Sequence, residues 1–165
     1  MIVVSNSSPL IALARIGRLG LLVSMYGRVL IPTEVQFEVT AGDRDLRGAS
    51  EIRNAKWIEV VSPKSTPEPK LAQACHNLGA GERGAIYLAK NLGADLILLD
   101  ERKARRVANE AGLSVMGCLG MLEGAARKGL TPDLRQLYID LLQNGIRFDV
   151  RLLQDSLGRL GLTKL

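Results

Sequence analysis

Two patterns in this chain could carry chemistry. The first is a set of polar side chains at the ends of apolar runs. Asn6 follows "IVVS", Asp100 ends "ADLILLD", Glu82 opens the helix pattern leading into that run, and Glu38 lies within "PTEVQFEVTAG". Ligands of open α/β sheets bind outside the carboxyl ends of the strands, so a polar residue at such an end stands where chemistry is commonly done. Taken singly, each has a structural role to offer: Asn6 as a turn former, Glu38 on a solvated helix face, Glu82 as complement to a helix dipole, Asp100 as N-cap of the next helix. The second pattern is "GAGERG" (Gly79–Gly84), a literal G-x-G-x-x-G followed by a helix and then by Asp100, near the spacing of a ribose-binding acid. That fingerprint requires a strand before its first glycine. Here "EPKLAQACHNL" precedes it, with Leu71, Ala74, Cys75 and Leu78 on one helix face, so the glycines are expected to join two helices. A dinucleotide-binding α/β domain stays as an alternative.

The elements that must position these residues alternate. Ile2, Val3 and Val4 read as a strand buried on both faces, as in a parallel sheet. Ser8 and Pro9 then read as a helix start, the serine capping and the proline at the first helical position. The pattern predicts strands at Ile2–Ser5, Val29–Ile31, Trp57–Val61, Asp95–Leu99 and Ser114–Met116. It predicts helices over Pro9–Arg15, Arg18–Tyr26, Thr33–Thr40, Asp45–Asn54, Pro69–Leu78, Glu82–Leu92 and Arg102–Ala111. Helices fill the remainder, broken at Gly129–Pro132 and Gly145–Phe148, and "SPKSTPEPK" reads as a surface loop. Short apolar strands separated by helices imply βαβ crossovers and a parallel sheet covered on both faces.

Composition bounds the class. A chain of 165 residues is one domain, long enough to bury roughly 70% of its unfolded surface. With 47% hydrophobic and 24% charged residues it is neither disordered nor membrane-spanning, and no apolar run approaches the ~20 residues a bilayer requires. Met1 leads directly into the first strand with no basic leader, so a cytoplasmic location without membrane contact is expected. Cys75 and Cys118 are then expected as reduced, buried thiols, and His76 has no partner motif for a metal. A balance of 22 basic to 17 acidic residues, net +5, makes an anionic partner such as nucleic acid reasonable.

The stretches "IVVSNSSPLIALARIGRL", "VLIPTEVQFEV", "LGAGERGAIYLAKNLGADLILLDERKARRVA" and "GLSVMGCLGMLEGAARKGL" together resemble the PIN-domain superfamily. Within it, they are similar to small prokaryotic PIN-like proteins once catalogued as a domain of unknown function. The resemblance runs from Met1 to about Leu130, with 131–165 left as a helical C-terminal extension of a single PIN-like domain. It implies an α/β three-layer sandwich, with a central parallel sheet and helices on both faces. It also implies acids around Mg²⁺ or Mn²⁺, and ribonuclease activity of the kind found in VapC-type toxins of toxin–antitoxin pairs. The family's first aspartate falls on Asn6, its helix glutamate on Glu38, its third acid on Glu82 and its last on Asp100. The implied catalytic set is therefore Asn6, Glu38, Glu82 and Asp100, and the implied metal ligands are Glu38, Glu82 and Asp100. Asn6 stands where a carboxylate is expected.

Hydrolysing a phosphodiester needs a nucleophile at neutral pH and neutralisation of transition-state charge, and carboxylate-held divalent cations supply both. An asparagine offers a carbonyl oxygen without charge, so cleavage is expected to be weakened relative to a full acidic quartet. RNA is the implied substrate, contacted by Ser8 and by Arg102, Lys103, Arg105 and Arg106 of "ERKARRVANEA", through phosphates and without sequence readout. The alternative for that run is a solvated face paired with Glu101 and Glu110. A small antitoxin protein is the partner implied by the toxin resemblance. The apolar "GCLGMLEGAARKGL" and "LYIDLL" predict a homodimer. A catalytically silent PIN-like binding module is the second functional reading, with Asn6 as its direct support.

Overall fold

The computed structural model describes residues 1–40 and 48–165. The chain runs β1 (Val3–Ser5), α1 (Ser7–Arg15), α2 (Gly20–Tyr26), β2 (Val29–Ile31), α3 (Thr33–Thr40), α4 (Ala49–Asn54), β3 (Ile58–Val60) and α5 (Pro69–Ala74). It continues α6 (Ala80–Leu92), β4 (Leu96–Leu98), α7 (Arg102–Glu110), β5 (Val115–Met116), α8 (Cys118–Arg127), α9 (Leu134–Gln143) and α10 (Val150–Arg159). The five strands form one parallel sheet in the order β3-β2-β1-β4-β5. The chain reverses its direction of travel across the sheet between β1 and β4, where Val3, Val4 and Ser5 pair with Leu96, Ile97 and Leu98.

Alternate residues of each strand feed two cores, because successive side chains point to opposite faces. Val3, Val29, Ile31, Leu96 and Leu98 pack with α1, α2, α8, α9 and α10. Val4, Leu30, Ile97 and Leu99 pack with α6 and α7 on the other face. This is the three-layer sandwich expected. The two cysteines lie in different cores, buried and free. Among the described residues no helix is long and apolar enough to cross a membrane.

Several boundaries differ from expectation. Helix α1 begins at Ser7, and Asn6 occupies its N-cap without a side-chain capping bond, so Ser8 caps nothing and Pro9 is the third helical residue. Proline is tolerated there because N–H groups of a first turn have no intrahelical partner. Helix α5 stops at Ala74, four residues early, as His76 and Leu78 turn back onto Gln73 and Cys75 in three-residue turns. The helix predicted from Asp45 is described only as Ala49–Asn54, its first residues lying outside the described set. The glycines of "GAGERG" do join two helices, α5 and α6, with no strand before them.

The C-terminal segment is part of the domain core. Leu134, Leu137, Tyr138 and Leu141 of α9 and Leu153 and Leu157 of α10 are buried with Val3, Leu10 and Leu13. Tyr138 is fully buried, and its hydroxyl lies 2.5 Å from Ser156 Oγ, joining α9 to α10. The apolar stripes expected to form a dimer face, Cys118, Met121, Leu122 and Ala125 of α8 and the α9 leucines, are covered within the chain.

Candidate active site at the carboxyl edge of the sheet

The site is built where β1 and β4 end side by side. The Asn6 N–H donates to Leu98 O at 3.1 Å, continuing the β1–β4 ladder to its last rung. That bond aims the Asn6 side chain inward, and the residue is 2% exposed. Its Oδ1 accepts from Ser7 Oγ at 3.3 Å, and the Ser7 hydroxyl also lies against Glu38 Oε2. The other Glu38 oxygen, Oε1, accepts from the Gly81 N–H at 2.9 Å. Asn6, Ser7, Glu38 and the first turn of α6 are therefore one connected polar network.

Gly81 permits this. A β-carbon there would sit 2.7 Å from the Glu38 carboxyl carbon, inside contact distance, so only glycine leaves room for the carboxylate to reach an N–H at the helix's positive end. The Glu82 carboxylate folds back over Gly79, the N-cap of the same helix. The anion-binding end of α6 is thus already filled by two glutamates. A pyrophosphate would have to displace them, and with α5 in place of a strand the dinucleotide reading has no support in the fold.

Asp100 lies two residues beyond β4, and its surroundings differ. Its Oδ1 accepts from the Cys118 N–H at 2.6 Å, at the start of α8. A β-carbon on Gly117 would meet Asp100 Oδ1 at 3.1 Å and Arg105 Nη1 at 3.2 Å, so this glycine keeps the acid and the arginine close to the helix start. Burial pushes the Asp100 carboxyl above its ordinary range, an effect partly offset by the Cys118 N–H and the Arg105 guanidinium. The Cys118 thiol is pushed well up by burial and by Asp100 beside it. Asp100 is not the N-cap of α7. Glu101 is, accepting from the Lys103 and Ala104 N–H groups at 3.0 and 2.7 Å.

Of the basic run, Arg102, Lys103, Arg105 and Arg106 are exposed and border a groove that reaches Asp100. The alternative pairing with Glu101 is not seen among the described residues, since that carboxylate caps the helix. Arg106 lies 3.9 Å from Glu110 in an exposed contact, a geometry that contributes only a few tenths of a kcal/mol. Ser8 is exposed at the rim of a second groove with Ile11, Asp100 and Glu101. The residues that sequence reasoning missed are Ser7, Gly81 and Gly117. The adjacent serines gave no local signal of which one turns inward, because that depends on Glu38, 31 positions away.

A family model described as PIN domain matches residues 2–162. The chain belongs to the PIN-domain family. The match extends through α9 and α10, agreeing with the packing of those helices into the core of this PIN domain. A search of curated proteins found no match to it.

The PIN domain is a nuclease-type fold generally dependent on divalent metal ions, and the candidate residues at this edge, Asn6, Glu38, Glu82 and Asp100, are oxygen donors. Glu38, Glu82, Asp100 and the Asn6 amide are the oxygen donors a hard cation takes, but the structure joins only Asn6 and Glu38 in one network, with Glu82 over the same helix end, and sets Asp100 apart against Cys118 and Arg105. They do not make a closed cage: among the described residues, no three His, Cys, Asp or Glu side chains are grouped so as to hold one ion.

Proposed function

We propose that this PIN domain is a ribonuclease dependent on Mg²⁺ or Mn²⁺, hydrolysing RNA phosphodiesters and weakened by Asn6 in place of an acid. The observation that supports it is the junction of β1 and β4. Asn6 and Asp100 follow adjacent strand ends at the topological switch point, with the cations of α7 beside them. Glu38, Glu82 and Asp100, not grouped around one point in this structure, would have to gather to hold the ion, which would supply an activated water and neutralise charge on the reacting phosphate. The chain's own residues do the rest. Arg102, Lys103, Arg105 and Arg106, with Ser8 at the rim, bind the RNA backbone by charge, giving salt-sensitive binding without base readout. Ser7 and the Gly81 N–H fix the Glu38 carboxylate in one orientation before substrate arrives. The buried Asn6 presents a neutral carbonyl where a charge would strengthen cation affinity.

The test is a pair of substitutions assayed on single-stranded RNA at limiting Mn²⁺. Asn6→Asp should raise cleavage, about tenfold for each ~1.4 kcal/mol gained in metal affinity, and Asp100→Asn should abolish it. If neither changes cleavage or metal affinity, the quartet is not a working site.

A silent binding module is the second reading, and one observation favours it: both Glu38 oxygens already have protein donors, from Ser7 and Gly81. Unchanged RNA under every metal, with binding retained, would select it. A small antitoxin protein and a second copy of the chain are the protein partners proposed. With the α8 and α9 stripes covered, the exposed apolar side chains that could serve them include Phe37 on α3 and Leu152 on α10. Light scattering at micromolar concentration decides the homodimer.

A further inference from the structure

Asp100 is flanked by a wall that the basic run of α7 does not supply. One groove passes from Ser8 and Asp100 to Arg147 and Phe148, and another from Asp100 and Arg105 past Gly117 to the same two residues. Both therefore end on the turn between α9 and α10.

That turn holds the backbone of Arg147 in one place. Gly145 takes φ 78°, the left-handed conformation that ends a helix, and the Ile146 N–H returns to Leu141 O at 3.0 Å. Asn144 Nδ2 donates to Asp140 O at 2.8 Å on one side of the turn. On the other side Asp149 caps α10, accepting from the Arg151 N–H at 2.9 Å. Ile146 and Phe148 pack against the core, which leaves Arg147 between them exposed along the grooves. Helix α10 is fastened to α8 by Arg159 Nη2 on Glu123 Oε1 at 2.5 Å and to α9 by Tyr138 and Ser156. The scaffold behind the turn is thus tied at several points.

The charges on these walls are not equivalent. Arg159 is committed to Glu123 and Arg106 lies beside Glu110, whereas among the described residues no carboxylate comes within 4.0 Å of Arg147. Arg147 thus shares these grooves with Asp100 and Arg105, and the other acids that line them are engaged elsewhere, Glu101 and Asp149 as helix caps and Glu123 on Arg159, so Asp100 is the acid left between two positive walls. Guanidinium matches phosphate geometry with two parallel N–H donors, and an extended phosphodiester backbone is the polyanion that can touch both walls.

We infer that Arg147 contacts a phosphate of single-stranded RNA and directs the strand across Asp100, making the α9–α10 turn the second wall of the RNA groove. This inference rests on the nucleic-acid reading above. It extends that reading to a residue outside the basic run.

The experiment is fluorescence anisotropy of the full chain with a labelled single-stranded RNA over a salt series, with EDTA present to prevent cleavage. Arg147→Ala should weaken binding roughly three- to tenfold and reduce the slope of log affinity against log salt by about 0.7, the value for one phosphate contact on a single strand. Arg147→Lys should keep the slope with intermediate affinity, and the melting temperature should not move. Unchanged affinity and slope in Arg147→Ala, with weakening in Lys103→Ala, would overturn the inference while leaving the nucleic-acid reading intact. Absence of RNA binding by the wild-type chain would overturn both. An equal loss of affinity for poly-glutamate would make the wall a dock for an acidic protein and overturn the assignment to RNA.

Discussion

The Cys118 N–H donates a 2.6 Å hydrogen bond to Asp100 Oδ1, tying the second residue beyond β4 to the first turn of α8. The bond satisfies one carboxylate oxygen while burial raises the carboxyl's pKa. Asp100 is therefore held in position and electrostatically costly together, a combination common where a charge awaits a cation.

The stability of the fold should record that cost. The Asp100 pKa is higher folded than unfolded, so its contribution to stability is fully present below the unfolded value and is lost as pH rises through the folded one. Asp100→Asn, which keeps an acceptor for Cys118, should raise the melting temperature at pH 7, with the gap closing as pH falls below the ordinary aspartate range. Thermal melts across pH check this; a gap that widens on acidification would contradict it.

Asn6→Asp should do the reverse. The position is 2% exposed and among the described residues its amide oxygen accepts only from the Ser7 hydroxyl, so a carboxylate there lacks donors and gains repulsion from Glu38 beyond Ser7. Burying it should cost about 1–3 kcal/mol in EDTA. Added Mn²⁺ should recover part of the loss, because a ligand that binds only the folded state stabilises it by mass action. Melting curves with and without Mn²⁺ measure both effects independently of cleavage.

Gly81→Ala separates fold from site. Alanine is favoured over glycine by up to ~1 kcal/mol in a helix interior and by less in the first turn, where Gly81 sits, and the atom it displaces is the end of an exposed glutamate. The melting temperature should hold or rise, while RNA cleavage should fall to the level of Glu38→Gln. Gly84→Ala is the control, since its β-carbon meets Glu34 Oε2 at 2.8 Å and leaves Glu38 alone. Full cleavage in Gly81→Ala would remove Glu38's fixed orientation from the mechanism.

The C-terminal helices should melt with the domain. Burial pushes the Tyr138 hydroxyl up to about 12, and this neutral phenol is paired with Ser156 in the core. Tyr138→Phe leaves the serine without that partner and should cost about 1 kcal/mol, a fall of roughly 2–4 °C in melting temperature. A truncation before Leu134 should fail to fold, as it uncovers Leu10 and Leu13; circular dichroism checks both variants.

Much of this was legible in the sequence because it is local. Val29–Ile31 and Thr33–Thr40 form the elements their residues predict, and "GAGERG" links two helices because the apolar spacing before it has a helical period. Asn6 after β1 and Asp100 after β4 follow from where apolar runs stop. The tertiary structure alone decided which partner each polar group takes. Ser7 rather than Ser8 faces Glu38, Glu101 caps α7 while Asp100 reaches forward to Cys118, and Gly81 is small for the sake of a side chain 43 positions away. The same holds for α8 and α9, whose apolar stripes read alike whether they meet a second copy or α10 and the sheet. Period and capping are set by neighbours in sequence, whereas hydrogen-bond partners and buried faces are set by which elements the sheet order brings together, and no local preference encodes that order.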